Sequence, residues 1–318
     1  MINTHACPIC QQDTLEQMPY TCADYLTQQT FNLLKCHSCD CCITQGLSQV
    51  DDHYGSAYYN SKQGKFSPLI EKIFHWNHQR NAKFLYKSFH PKRVLEVGCG
   101  RAYILRELQQ LGVEVYCLES AGAADWILQN KDVNVVSLSD KQENNWPFEA
   151  ESFQLIVFWH VFEHLPNPVQ ALEQATKVLA SGQTLCISVP NITSLQARLG
   201  LATWFHLDVP RHLFHFSKKG LLELLEEHNY EIIKMTSGDA MQNLFGCFQS
   251  LANLFTPKTT NTFYRFLQGG TPWRTANKFS LFIQLLTTII WIPFGLIMYG
   301  IEEITGHYGT VTVFAKRR

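Results

Sequence analysis

The segment Glu96-Val97-Gly98-Cys99-Gly100-Arg101-Ala102 carries a pattern suited to holding a nucleotide-like ligand. Glycines two apart let the backbone turn sharply and approach a ligand, and a helix starting just after them aims free N–H groups at it. Glu119 follows Gly98 by 21 residues. A carboxylate at the end of the next strand can accept hydrogen bonds from two ribose hydroxyls. A nicotinamide dinucleotide would want a third glycine where Tyr103 stands, and Glu96 suits a cationic ammonium better than a pyrophosphate.

A second group is made of thiols. Cys7-Pro8-Ile9-Cys10 and Cys36-His37-Ser38-Cys39 are two Cys-x-x-Cys pairs with 25 residues between them. A two-residue gap lets both thiolates of a turn reach one ion, and two such turns complete a tetrahedral zinc site. Four cysteines leave no open position for water, so the ion is expected to be structural. Cys22, Cys41, Cys42 and His37 are substitute ligands. Seven of the eleven cysteines lie in the first 42 residues, and no basic or apolar leader opens the chain. A reducing compartment, the cytoplasm, is therefore expected, where metal binding is favoured over disulfides.

Histidines form the third group. His160, Glu163 and His164 spell His-x-x-Glu-His, the inverted zinc-protease pattern, but that needs a helix presenting both histidines to one ion. Pro166 and Pro168 follow almost at once, which leaves no room for it. His212 and His215 are open to three readings: a metal pair, core histidines bonded to their loop, or acid–base groups. An imidazole titrating near neutrality can take a proton from an attacking hydroxyl.

These residues must be held by an α/β framework. Short β-branched runs (Arg93–Val97, Val113–Leu118, Val133–Leu138, Phe153–Phe158, Thr184–Val189) alternate with helical periods (Arg101–Leu111, Ala123–Gln129, Pro168–Leu179, Lys218–His228). That alternation predicts βαβ units and a parallel sheet covered on both faces, with ligands at the carboxyl ends of the strands. A leading helix is expected over Pro68–Phe89. The expected organisation is a zinc-ribbon-like segment 1–50, a linker and helix 51–91, and a main domain 92–318.

With these motifs in place, the chain resembles the class I S-adenosylmethionine-dependent methyltransferases. Glu96, Gly98 and Gly100 match their first motif, with Ala102 in place of its last glycine. Trp146-Pro147-Phe148 and Ser152-Phe153-Gln154-Leu155-Ile156 resemble the approach to the fourth strand, with Gln154 where the family has an acid. Trp159–Pro168, Pro190-Asn191 and Pro210–Ser217 extend the likeness. They are similar to the subgroup of ubiquinone-biosynthesis O-methyltransferases and of sugar methyltransferases with an N-terminal zinc-binding segment. The resemblance implies a doubly wound, mostly parallel seven-stranded sheet. It also implies that Glu96, Gly98, Cys99 and Gly100 cradle the methionine part of S-adenosylmethionine, that Glu119 takes the ribose, and that Asp140 reaches the adenine. His160 then lies nearest the methyl-transfer point, and His212 is the preferred base. Two alternatives remain: a catalytically idle cofactor-binding module and a nicotinamide-dependent oxidoreductase.

Composition narrows the partners. With 46% hydrophobic residues, 17% charged residues and a net charge of -1, the chain can bury a core and is not suited to nucleic acid. Phe279–Ile301 is 23 residues without a charge, inside an apolar insertion over 241–304. That is long enough to span a bilayer. A single crossing would put strands of one sheet, Tyr230–Met235 and Thr310–Ala315, on opposite sides. The segment is therefore expected to return to its starting side: as a hairpin broken at Pro293-Phe294-Gly295, paired with Leu244–Phe255, or lying in the interface. Residues 243–280 hold four bases and no acid, which suits anionic headgroups. The expectation is a monotopic enzyme on the cytoplasmic face, acting on a glycan, lipid-linked saccharide or quinone-like acceptor; a buried helical cap is the alternative for the apolar segment.

Overall fold

The computed structural model describes residues 6–46, 68–120, 133–138, 145–268 and 278–318. In chain order the elements are β1 (Leu15–Ala23), β2 (Thr30–Cys36), β3 (Cys42–Thr44), α1 (Pro68–Phe89), β4 (Arg93–Val97), α2 (Tyr103–Gln110), β5 (Glu114–Ser120), β6 (Asn134–Leu138) and β7 (Phe153–Trp159). They continue with α3 (Pro168–Val178), β8 (Leu179–Pro190), α4 (Leu195–Gly200), β9 (Phe214–His215), α5 (Lys218–Glu227), β10 (Tyr230–Thr236), α6 (Ala240–Leu254), α7 (Thr262–Leu267), α8 (Lys278–Thr305) and β11 (Thr310–Arg317). The expected helix 123–129, the linker 51–67 and Asp140 lie outside the described residues.

Two compact units emerge, each assembled from three stretches of chain. One takes Lys72–Val189, Leu224–Thr236 and Thr312–Arg318; the other takes Met1–Glu71, Pro190–Glu223 and Ser237–Val311.

The first unit is the expected α/β fold. Its sheet, seven strands among the described residues, runs β10-β11-β8-β7-β4-β5-β6. Strands β8, β7, β4, β5 and β6 are successively parallel, and β11 pairs antiparallel with β10. Runs such as Val94-Leu95-Glu96-Val97 are buried without alternation because both sheet faces are covered. Val94, Val115, Leu155 and Val157 pack with Ile104, Leu105 and Leu108 of α2 and Leu85 of α1. Asn167 caps α3 by accepting from Gln170 N at 3.2 Å, with Pro168 in the first turn where no N–H is needed. Gln154 Oε1 accepts from Arg93 N at 2.8 Å, so an amide oxygen caps the start of β4.

The second unit holds the cysteine-rich segment and the apolar insertion. β1 and β2 form an antiparallel hairpin, β3 pairs with β2, and β9 adds on β3 through Cys42↔His215 and Ile43↔Phe214. The N-terminal ribbon is therefore completed by Phe214-His215, which the sequence placed in a loop. The reason is an edge: three-residue β3 would otherwise leave its N–H and C=O groups open. Trp204, Leu207 and Val209 close a core against Cys22, Phe31 and Leu33.

α8 is one continuous helix through Pro293, so the hairpin broken there does not form. It packs instead against α6, the Leu244–Phe255 pairing. Gly295 makes the approach possible: a Cβ there would lie 2.4 Å from Phe248 Cε1. Gln284, near the first end of α8, donates to Thr256 Oγ1 at 2.7 Å, and Glu302, near the other, accepts from Gln196 N and Nε2, both at 3.0 Å. Both ends are tied to the same unit, so α8 lies along it.

Candidate functional site

In the α/β unit, β4 delivers Glu96 and the glycine turn, and β5 delivers Glu119 beside them. Gly98 and Gly100 have φ of +68° and +52°, the left-handed region that glycine enters without steric cost. Gly98 N donates to Leu118 O at 2.8 Å and Gly100 N to Glu119 Oε2 at 3.3 Å, which locks the turn to the end of β5. A Cβ on Gly98 would sit 2.2 Å from Val161 Cγ2, whereas one on Gly100 would meet nothing within 4 Å among the described residues. Gly98 is thus seated against protein, and Gly100 faces open space suited to a ligand.

Glu96 is buried, and its Oε2 has no hydrogen-bond partner among the described residues. Burial, with a smaller push from Glu119, raises its pKa well above the ordinary 4.5. A buried carboxylate without a cation is costly, and a bound cation relieves that cost. This is the position the cationic methionine end of S-adenosylmethionine would fill. The glycine turn and Glu119 supply the complementary backbone and ribose contacts, so the residues present fit the group.

His160 follows β7 at φ +53°, with its N–H donating to Ser188 O at 2.9 Å and its Nδ1 lying 3.6 Å from Glu163 Oε1. Its Nε2 and the neighbouring Trp159 Nε1 are buried without partners among the described residues. Residues Phe162–His164 form a single 3₁₀ turn, so the inverted zinc-protease helix is absent here.

His212 and His215 belong to the other unit and are buried. His212 Nδ1 lies 2.9 Å from His206 O and donates to it, and Nε2 lies 4.0 Å from Asp208 Oδ2. His215 Nε2 meets Thr44 Oγ1 at 3.0 Å and packs in the small sheet. The two rings are 6.2 Å apart and serve different neighbours. Arg211, just before His212, is fully buried, bridging Asp24 at 2.9 Å and Asp208 at 2.5 Å and stacking on Tyr25. Burial opposes ionisation of Asp24, but Arg211, Leu26 N and Thr27 hold its pKa below the usual value.

The four expected zinc ligands converge. Cys7 Sγ and Cys39 Sγ are 3.7 Å apart, Cys10 Sγ and Cys36 Sγ 3.5 Å, and all four lie within 4.8 Å of one another. Zinc–sulfur bonds of about 2.3 Å put tetrahedral sulfurs about 3.8 Å apart, so the spacing fits a structural zinc ion. Burial works against ionisation of Cys36, yet Thr14 Oγ1, the Cys39 and Ser38 amides and Cys10 bring its pKa down to about 6. Cys41, beside Cys39, is also engaged by Ser217, whose N–H donates to Cys41 Sγ at 3.4 Å and whose hydroxyl bonds Cys39 O.

Three features went unread in the sequence. Cys99 is disulfide-bonded to Cys117, so its sulfur is committed and only its backbone is left to line the turn. The expectation of uniformly reduced cysteines fails for this pair because β4 and β5 are parallel neighbours in register, with Glu96 opposite Cys117. Val161 is the wall behind Gly98. Tyr103, at the start of α2, is stacked on His78 at 5.2 Å and edged by His75 at 6.0 Å, which packs α1 against the first turn of α2. Histidines three apart on Pro68–Phe89 were the available signal.

A family model described as a methyltransferase domain matches residues 70–235. A ubiquinone biosynthesis O-methyltransferase of Glaesserella parasuis is 24% identical over 144 residues, covering 42% of this chain and 58% of that protein. The chain thus spans little more than half the length of that relative. Among solved structures, a SAM-dependent methyltransferase from Archaeoglobus fulgidus has 18% identity and a TM-score of 0.48, covering 78% of this chain and 98% of its own. A sarcosine dimethylglycine methyltransferase-like protein from Galdieria sulphuraria has 12% identity and a TM-score of 0.49, covering 84% and 98%.

Proposed function

We propose, from the premise that the chain belongs to the methyltransferase domain family, that it transfers a methyl group from S-adenosylmethionine to an acceptor at a membrane surface. The observation that carries the cofactor reading is Glu96: a buried carboxylate with an unsatisfied oxygen beside a glycine turn and a second carboxylate, Glu119. When bound, the cofactor supplies a methyl group already activated on a positive sulfur, so the protein has mainly to bind and align. Glu96 attracts the ammonium, the Gly98–Gly100 backbone lies along the methionine portion, and Glu119 accepts the ribose hydroxyls. His212 is assigned the acceptor's proton, and His160 offers its buried Nε2 to orient the polar end of a ligand. The four-cysteine centre holds zinc as a structural tie for a sheet too small to make its own core.

The acceptor reading is supported by α8. It is long and apolar enough to cross a membrane, and 28% of that window is buried. Phe279, Phe282, Ile289, Ile290, Ile297 and Ile304 are exposed along its length. With both helix ends bound to one unit, the helix suits lying in the interface, as a monotopic anchor on the cytoplasmic face, with Lys258, Arg265 and Lys278 toward anionic headgroups. A lipid-linked saccharide or quinone-like acceptor fits this placement, and the named role of the Glaesserella relative adds to the quinone reading.

Calorimetric titration with S-adenosylmethionine tests the first half: no binding, or unchanged affinity in Glu119→Ala, would refute it. Labelled-methyl transfer into membrane extracts tests the second; label appearing only in water-soluble products would refute a membrane acceptor. Binding without any transfer would favour the idle cofactor-binding module.

A further inference from the structure

We propose that Cys99 and Cys117 form a reversible thiol–disulfide site that sets the grip of the cofactor turn, tighter when oxidised and weaker when reduced. The inference builds on the cofactor reading above. All eleven cysteines lie among the described residues, and this pair alone is joined. Cys7 and Cys39, and Cys10 and Cys36, stand at sulfur contact distance as free thiols. The bond therefore sits apart from the metal-type cluster, inside the site.

Its position gives it leverage. Cys99 is the residue between the two turn glycines, and Cys117 lies two residues before Glu119 on the adjacent strand. The bond pins the turn to β5 at the point where Gly100 N meets Glu119 Oε2. Once reduced, the turn keeps only hydrogen bonds, Gly98 N to Leu118 O, Ala102 N to Cys99 O and the 3.3 Å bond of Gly100 N to Glu119 Oε2, with no covalent link to β5. The freed sulfurs also stand beside Glu119: ligand atoms of Cys99, Cys117 and Glu119 lie within 4.8 Å of one another. Any thiolate there repels the carboxylate assigned to the ribose. In a reducing compartment, a disulfide of this kind acts as a switch more often than as a staple.

The chemistry balances with a dithiol as reductant. Its thiolate attacks Cys99 Sγ, on the less deeply buried residue of the pair, and the S–S bond breaks. Cys117 leaves as a thiolate and takes a proton. The second thiol of the reductant then attacks the mixed disulfide, releasing Cys99 and a cyclic disulfide. Two electrons pass to the protein, and exchange with an external disulfide reverses the process.

The test is titration of the full chain with S-adenosylhomocysteine before and after dithiothreitol. Alkylation and mass measurement verify the state of Cys99 and Cys117, and metal analysis confirms that zinc is unchanged. Loss of a preorganising link predicts roughly tenfold weaker binding in the reduced protein. Cys117→Ser is expected to bind like reduced protein whatever the treatment. Equal affinity in the two verified states, within twofold, would overturn the switch alone. Full alkylation of both residues without reductant would overturn it too. No binding in either state would overturn both the switch and the cofactor reading.

Discussion

Gly98→Ala isolates the physical demand at the centre of the site. The residue sits at φ +68°, and its new Cβ would lie 2.2 Å from Val161 Cγ2 and 2.9 Å from Val161 Cβ. The left-handed backbone costs a residue with a Cβ about 1–2 kcal/mol. Overpacking a close contact adds about 1–3 kcal/mol. The sum is about 2–5 kcal/mol, and the turn can relieve it only by moving away from Leu118 and Glu119. Affinity for S-adenosylhomocysteine should then fall at least about 30-fold, since each 1.4 kcal/mol is tenfold. Adding Val161→Ala removes Cγ2 but leaves Cβ, so the double variant should recover part of the overpacking share and none of the backbone share. Calorimetry and thermal melting of the two single variants and the double variant complete the cycle. Binding by Gly98→Ala within twofold of wild type, with an unshifted melt, would refute the reasoning. A double variant no better than Gly98→Ala would refute the role of Val161.

Glu96→Gln should stabilise the ligand-free protein at neutral pH. With the folded pKa raised, Glu96 binds its proton more tightly in the folded state, so its charge destabilises the fold increasingly as pH rises from 4.5 toward the folded value. The gain should shrink toward zero as melts are repeated nearer pH 4.5, and the same variant should bind S-adenosylmethionine more weakly. Asp24→Asn should cost about 3 kcal/mol in urea unfolding at pH 7, because it takes one of two carboxylates from buried Arg211. Asp24's pKa is lowered, so its contribution is present above 3.8 and lost as pH falls through the folded value; the variant should differ less from wild type in acid. Purified protein should contain about one zinc ion per chain, lost in Cys7→Ser/Cys10→Ser; metal analysis under reducing conditions checks it. Ile289→Lys with Ile297→Lys, both on the exposed side of α8, should abolish sedimentation with anionic vesicles while leaving S-adenosylhomocysteine binding intact.

Local chemistry made much of this protein legible from its residues. Strand–helix alternation, the Glu96–Gly100 turn and Glu119 at its distance pointed to the parallel sheet and its ligand edge, because those features depend on residues a few positions apart and on a recurring connection rule. The Cys-x-x-Cys pairs were readable for the same reason: each half-site is a single turn. Tertiary structure decided what distant segments do to one another. Only strand register places Cys117 opposite Glu96 and within bonding reach of Cys99. Only the open edge of β3 draws in Phe214-His215 across some 170 residues, which buries His215 and leaves His212 with its backbone acceptor. Pro293 suggested a broken hairpin, yet the helix continues, because Gly295 on Phe248 and the polar ties of Gln284 and Glu302 hold its length against α6. Such outcomes depend on which surfaces meet once the chain is compact, and no spacing along the sequence encodes that by itself.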